Sequence, residues 1–90
     1  MRSGMNPERA QTLALRALAF LANSEGALER LLDQSGLDSS TLRDRADDPE
    51  FLVSLLDFLL VNEGLLVDFC HDESVDAKSL HMARHILGRQ

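Results

Sequence analysis

The run FLVSLLDFLLV, from Phe51 to Val61, constrains the fold of this chain more than any other stretch of it. Only Ser54 and Asp57 interrupt its apolar residues. Wound as a helix, it places Glu50, Ser54 and Asp57 on one narrow polar strip and is apolar around the rest of its circumference. It is too short and too interrupted to cross a bilayer. A helix of this kind is normally central, and in 90 residues the remaining segments must supply its cover. A second reading leaves part of it, at Phe51 and Phe58, beside a groove open to another subunit or a partner.

The rest of the chain reads as helix. Apolar residues recur at spacings of three and four, and alternation is absent. The sequence has no Tyr or Trp, so strand signatures are weak. Asn6-Pro7-Glu8 combines an N-cap, a proline at the first helical position and an acid in the first turn, and predicts a helix to about Ala22. Ser24 is expected to cap a second helix that ends at Gly36, a left-handed C-cap with Leu37 as its apolar contact. Asp38 or Ser39 caps a short third helix to Ala46, and Asp48-Pro49-Glu50 opens the fourth. Asn62 is expected to cap a fifth to about His71, and Ser74 or Asp76 a sixth to Gly88. The expectation is an all-α compact bundle of about six short helices forming a single domain over 1–90, with residues 1–5 disordered.

The two halves align with each other. Leu18–Arg45, shifted by 38 positions without gaps, lies on Leu56–Ala83 with eight identities in 28 positions, among them Phe20/Phe58, Glu25/Glu63, Gly26/Gly64, Asp38/Asp76 and Leu42/Leu80. The two proline signatures lie 42 apart instead, so the first helix should be four residues longer, about one turn, with its inward face in register. These matches predict an internal repeat, 6–46 and 48–89, packed as two three-helix units about a pseudo-twofold axis.

Charge is uneven along the chain. The net −6 comprises +2 over residues 1–22, −11 over 23–76 (three arginines against fourteen acids) and +3 over 77–90. The acidic middle should repel phosphate, which disfavours nucleic acid as a partner. One cysteine excludes an intramolecular disulfide, and the N-terminus has no apolar run of the secretory kind. A cytosolic protein is expected.

The runs ALRALAFLAN and SGLDSSTLRDRADDPEFLVSLLDFLLVNEGLLVDFC resemble a family of small bacterial proteins known as a domain of unknown function. Its most specific pieces are Gly36-Leu37-Asp38, Leu42-Arg43, Asp48-Pro49 with Phe51-Leu52, and Asn62-Glu63 with Leu65-Leu66. The resemblance implies a compact helical protein of the bacterial cytosol and brings no catalytic residue, cofactor or partner.

Few residues carry chemistry. Cys70-His71-Asp72-Glu73 has the residue types of a metal or catalytic site, but neighbours on a helix point about 100° apart. Cys70 shares a face with Leu66 and Phe69 and aligns with Leu32, so it reads as a core residue. His81 and His85, four apart, share one helix face, but lack the glutamate of the metalloprotease motif and further ligands. No metal, cofactor or small-molecule ligand is called for. Lys78, His81, His85 and Arg89 form a basic strip opposite Ala77, Leu80, Ala83 and Leu87. Such a strip either complements the helix dipole or meets an acidic partner. Residues 27–46 have the spacing of a helix-turn-helix, with Ser39, Ser40, Thr41 and Arg43 opening the second helix. Asp38, Asp44, Asp47 and Asp48 oppose that use. Gly26 and Gly64 are expected where a neighbouring helix comes too close for a Cβ. The leading expectation is a non-enzymatic interaction or structural module that binds a protein partner or itself through Phe51, Phe58, the acidic central face and the α-helical strip at Lys78, His81, His85 and Arg89. The alternatives are a DNA-associated regulator and, third, an enzyme without a recognisable motif.

Overall fold

In the computed structural model the described residues are 6–24, 26–36 and 38–89, with the backbone alone for Ser35, Ser39 and Arg43. The expectations for residues 1–5, Glu25 and Leu37 lie outside them. The chain forms six helices: α1 (Pro7–Asn23), α2 (Ala27–Ser35), α3 (Ser39–Arg45), α4 (Pro49–Val61), α5 (Glu63–Glu73) and α6 (Ala77–Gly88). Among the described residues there is no strand. The fold is the expected all-α bundle.

Helix α4 is its centre. Phe51, Leu52, Leu55, Leu56, Phe58 and Leu59 are all buried, against α1 and α6 on two sides and α5 and α2 on others. Ala10, Ala14 and Ala17 line the buried face of α1 with Leu13 and Leu21; their small side chains allow close helix approach, while the leucines fill the remaining space. Leu80, Ala83 and Leu87 are the buried positions of α6. They bring it against both α1 and α4, so α1, α4 and α6 form the structural triad of the molecule. Phe69 of α5 is fully buried and meets Phe20 edge-on, with centroids 5.4 Å apart. This edge-to-face geometry suits the ring quadrupoles.

The helix ends repeat with the predicted offset of 38. Asp38 Oδ1 accepts from the Thr41 N–H at 3.0 Å, and Asp76 Oδ1 accepts from the Ser79 N–H at 3.0 Å. Gly36 and Ser74 both close their helices in the left-handed conformation, with φ of 71° and 56°. The Ser24 hydroxyl donates back to the Phe20 carbonyl, and the Asn62 amide donates back to the Phe58 carbonyl. Helices α1 and α4 have 17 and 13 residues, matching the expected extra turn.

The two aligned halves contribute unequally to helix packing. Helix α6 lies against α1 and α4, whereas α3, its sequence twin, packs substantially against no helix among the described residues. The reason is composition. Helix α3 (SSTLRDR) offers Leu42 alone to the core, while α6 offers Leu80, Ala83, Ile86 and Leu87.

Two capping expectations are corrected. Ser24 and Asn62 seal the helices before them, and neither side chain caps the helix after it. Helix α5 runs on to Glu73. The close-approach reading of Gly26 and Gly64 fails as well: a Cβ at either position would meet nothing within 4 Å. Gly26 has a different requirement, a φ of 77° at the start of α2, where an L side chain is strained.

Candidate interaction face

The site is built on α6. Asp76 caps its N-terminus through Ser79, whose backbone N–H and hydroxyl both reach Oδ1 at 3.0 Å. These bonds, the backbone one foremost, hold the Asp76 carboxyl below the usual aspartate range. Asp38 is lowered in the same way, first by the Ser40 hydroxyl and then by Thr41. With the helix start set and Leu80, Ala83 and Leu87 committed to the core, its rotation is determined. At about 100° per residue, the direction opposite that buried face belongs to Lys78, His81, Met82, His85 and Arg89, with Ile86 on the flank, half-buried against the core.

The structure places the four predicted residues of the C-terminal strip together on this outer face. Lys78, His81, His85 and Arg89 are all exposed. Between them lies an apolar element that the basic residues had obscured: Met82 is 39% exposed and Ile86 half-buried. A shallow depression of about 250 Å³ runs along Lys78, His81, Met82, His85 and Ile86. Their spacing, i, i+3, i+4, i+7, i+8 and i+11 with Arg89, was the available signal, since it marks the seam a helix presents to another helix.

Arg84 stands apart from this strip. It forms an ion pair and hydrogen bonds with Asp57 of α4, with Nη2 at 3.2 Å from Oδ2. The hydrogen bonds and charge of Asp57 raise its already high pKa further. Lys78 and Arg89 form no close ion pair among the described residues, although the Lys78 charge acts on the nearby Asp76 carboxylate; both cations are exposed on this face.

Phe51 and Phe58 do not belong to a contact surface. Each is 3% exposed, and the expectation of a docking role for them is corrected to one in the core. Neighbouring helices cover most of the apolar circumference of α4, and Val61 at its last turn is left 76% exposed. Phe58 touches a depression of about 260 Å³ between α2 and α4, with Leu31, Gln34, Ser54, Asp57 and Val61. Arg30 covers its ring, with the guanidinium carbon 5.7 Å from the centroid, and donates to Asn62 Oδ1 at 2.6 Å.

A larger groove, about 370 Å³, lies between α1 and the junction of α5 with α6. Its polar lining includes Glu8, Arg9, Thr12, Arg16, Glu73 and Ser79. Arg16 is paired across it with Glu73 at 2.9 Å. The sequence shows Arg9, Thr12 and Arg16 as one outward stripe; that Glu73 faces them is a tertiary fact.

Cys70 is half-buried and packs against the core, and its sequence twin Leu32 is half-buried as well. Burial foremost, then the nearby Asp76 charge, pushes its thiol pKa up, which lowers its nucleophilic fraction. Among the described residues no group of three or more His, Cys, Asp or Glu side chains is arranged to hold a metal ion. Residues 27–46 do form two helices about Gly36. Asp38, Asp44 and Asp47 are exposed beside the second, and the Ser39 and Arg43 side chains lie outside the described atoms. No described helix is long and apolar enough to cross a membrane.

Fold and site together define a small helical bundle with a committed core and one amphipathic outer helix face. The chain belongs to the family described as "Protein of unknown function (DUF3572)", whose pattern matches residues 7–90. Comparison with curated proteins and comparison with solved structures give no significant match.

Proposed function

We propose that the chain is a non-enzymatic protein-interaction module that engages its partner through the outer face of α6. The observation that carries this reading is the two-sidedness of α6. Its inner face is spent on α1 and α4, while the opposite face combines Met82, 39% exposed and flanked by the half-buried Ile86, with the exposed cations Lys78 and Arg89. Apolar side chains ringed by charge are what a specific protein contact uses: burial supplies affinity and charge supplies orientation.

The test is a photo-crosslinking residue placed at Met82, with a control at Gln11 on α1, in cells that make the protein. The expected outcome is a protein adduct at position 82 and none at the control. A chain that stays monomeric by solution mass and gives no adduct at 82 overturns the reading. The DNA-regulator alternative predicts retardation of pooled duplex DNA at low salt, lost on reversing Arg45. The carboxylates flanking α3 favour no such retardation.

A further inference from the structure

We infer that the outer face of α6 receives a single acidic amphipathic helix of a partner protein, its carboxylates meeting Lys78 and Arg89 and its apolar residues meeting Met82 and the exposed edge of Ile86. This rests on the reading of α6 as an interaction face and names the chemistry of the occupant.

Three features of the surface select that chemistry. The first is spacing. Six residues at i, i+3, i+4, i+7, i+8 and i+11 form a straight seam, which a second helix laid alongside can follow along its length. An extended strand would have a period of two and could not keep register with it. The second is size. From Lys78 to Arg89 the seam runs about 16 Å, at about 10 Å width. A stable contact between two globular subunits buries about 800 Å² on each. A strip this narrow, with two partly exposed apolar residues, matches one helix and falls well short of a second copy's surface.

The third is charge. Residues 77–90 carry +3, and Arg84 is already held by Asp57, so Lys78 near the start and Arg89 just past the end are the cations available to a partner. Residues 23–76 carry −11, so an acidic helix is repelled by the middle of the chain and accepted here. Attraction at this face and repulsion by the acidic middle of the chain give orientation as well as binding.

The experiment is a titration of the isotopically labelled full chain, followed by backbone amide shifts. Four probes are used: a 14-residue helical peptide with glutamates flanking leucines at i, i+4 and i+7; the same peptide with lysines for the glutamates; a glutamate peptide without the leucines; and a short DNA duplex. The expected result is saturable shifts confined to α6 with the acidic leucine peptide. Binding should weaken at least tenfold for the other three probes and for the Lys78→Glu/Arg89→Glu variant. Unchanged amide shifts in α1 and α4 of that variant will show that it is folded, and Met82→Asp provides a second lesion on the apolar part of the seam. The inference is overturned if the acidic leucine peptide moves no α6 amide at millimolar concentration, or if the lysine peptide or the duplex binds as tightly. Shifts in α6 that grow with protein concentration alone would identify a second copy as occupant; they would overturn the inference while leaving the interaction reading intact.

Discussion

Ser74 is the one non-glycine residue with positive φ among the described residues, and it occupies the position that Gly36 fills in the first half of the chain. An L residue in this region carries a penalty of about 1 kcal/mol. Ser74→Gly is therefore expected to stabilise the protein by about 0.5–1 kcal/mol, offset in part by unfolded-chain entropy. Gly36→Ala, at φ 71°, should do the reverse by about 1 kcal/mol. Gly64→Ala sits in a helix with open space around the new methyl and should stabilise by up to about 1 kcal/mol. Urea denaturation of the three variants checks the ordering. At Asp76 the Ser79 bonds favour the ionised carboxylate, so its folded pKa lies below the unfolded one. The stabilisation is present above the unfolded value, about 3.9, and is lost as pH falls through the folded value. Asp76→Asn should be less stable at neutral pH and lose less stability between neutral pH and pH 3 than the parent, as acid titration followed by circular dichroism would show. Cys70, with its raised pKa and half-buried sulfur, should react with a disulfide reagent several-fold more slowly in the folded protein than in urea.

At the scale of elements, α3 and α6 carry the contrast that decides the architecture. Both begin with an aspartate cap over a hydroxyl residue, and both have a leucine at the aligned position. Leu80 is fully buried and Leu42 half-buried. Leu80→Ala is expected to cost about 3–5 kcal/mol and Leu42→Ala about 1 kcal/mol, because the cost follows the transfer and cavity terms at each site. Hydrogen exchange should separate the two helices in the same order. The α3 amides should exchange through local opening, and those of α6 only with α1 and α4. The caps and the core positions of α6 were legible from spacing alone. The unequal fates of two aligned helices depend on how many apolar residues each can offer a shared core, and a one-to-one alignment conceals that.

The whole molecule is organised around α4, whose six buried apolar residues connect every larger helix contact but that of α1 with α6. A domain of this size has a net stability of about 5–13 kcal/mol. Leu56→Ala, at a fully buried position, should remove about 3–5 kcal/mol of it and lower the melting temperature by about 15 °C or more, with one cooperative transition by calorimetry. The ion pairs Arg16–Glu73 and Arg84–Asp57 tie α1 to α5 and α6 to α4. Both are exposed enough for solvent to screen them, so they set orientation more than stability.

The sequence by itself determined the number of helices, most of their ends and the central place of α4. These depend on interactions within a few residues of the chain: a proline at a first turn, an aspartate over a backbone N–H two or three residues on, apolar residues three and four apart. It also put Lys78, His81, His85 and Arg89 on one face, since helical geometry alone requires this. Only the tertiary structure decided which apolar faces were left over. Phe51 and Phe58 could have lined an open groove until α1, α6 and the Arg30 side chain covered them. Met82 could have been core until Leu80, Ala83 and Leu87 claimed the inner side. Burial is a competition among segments distant in sequence for one limited interior, and its outcome exists only once all of them are packed.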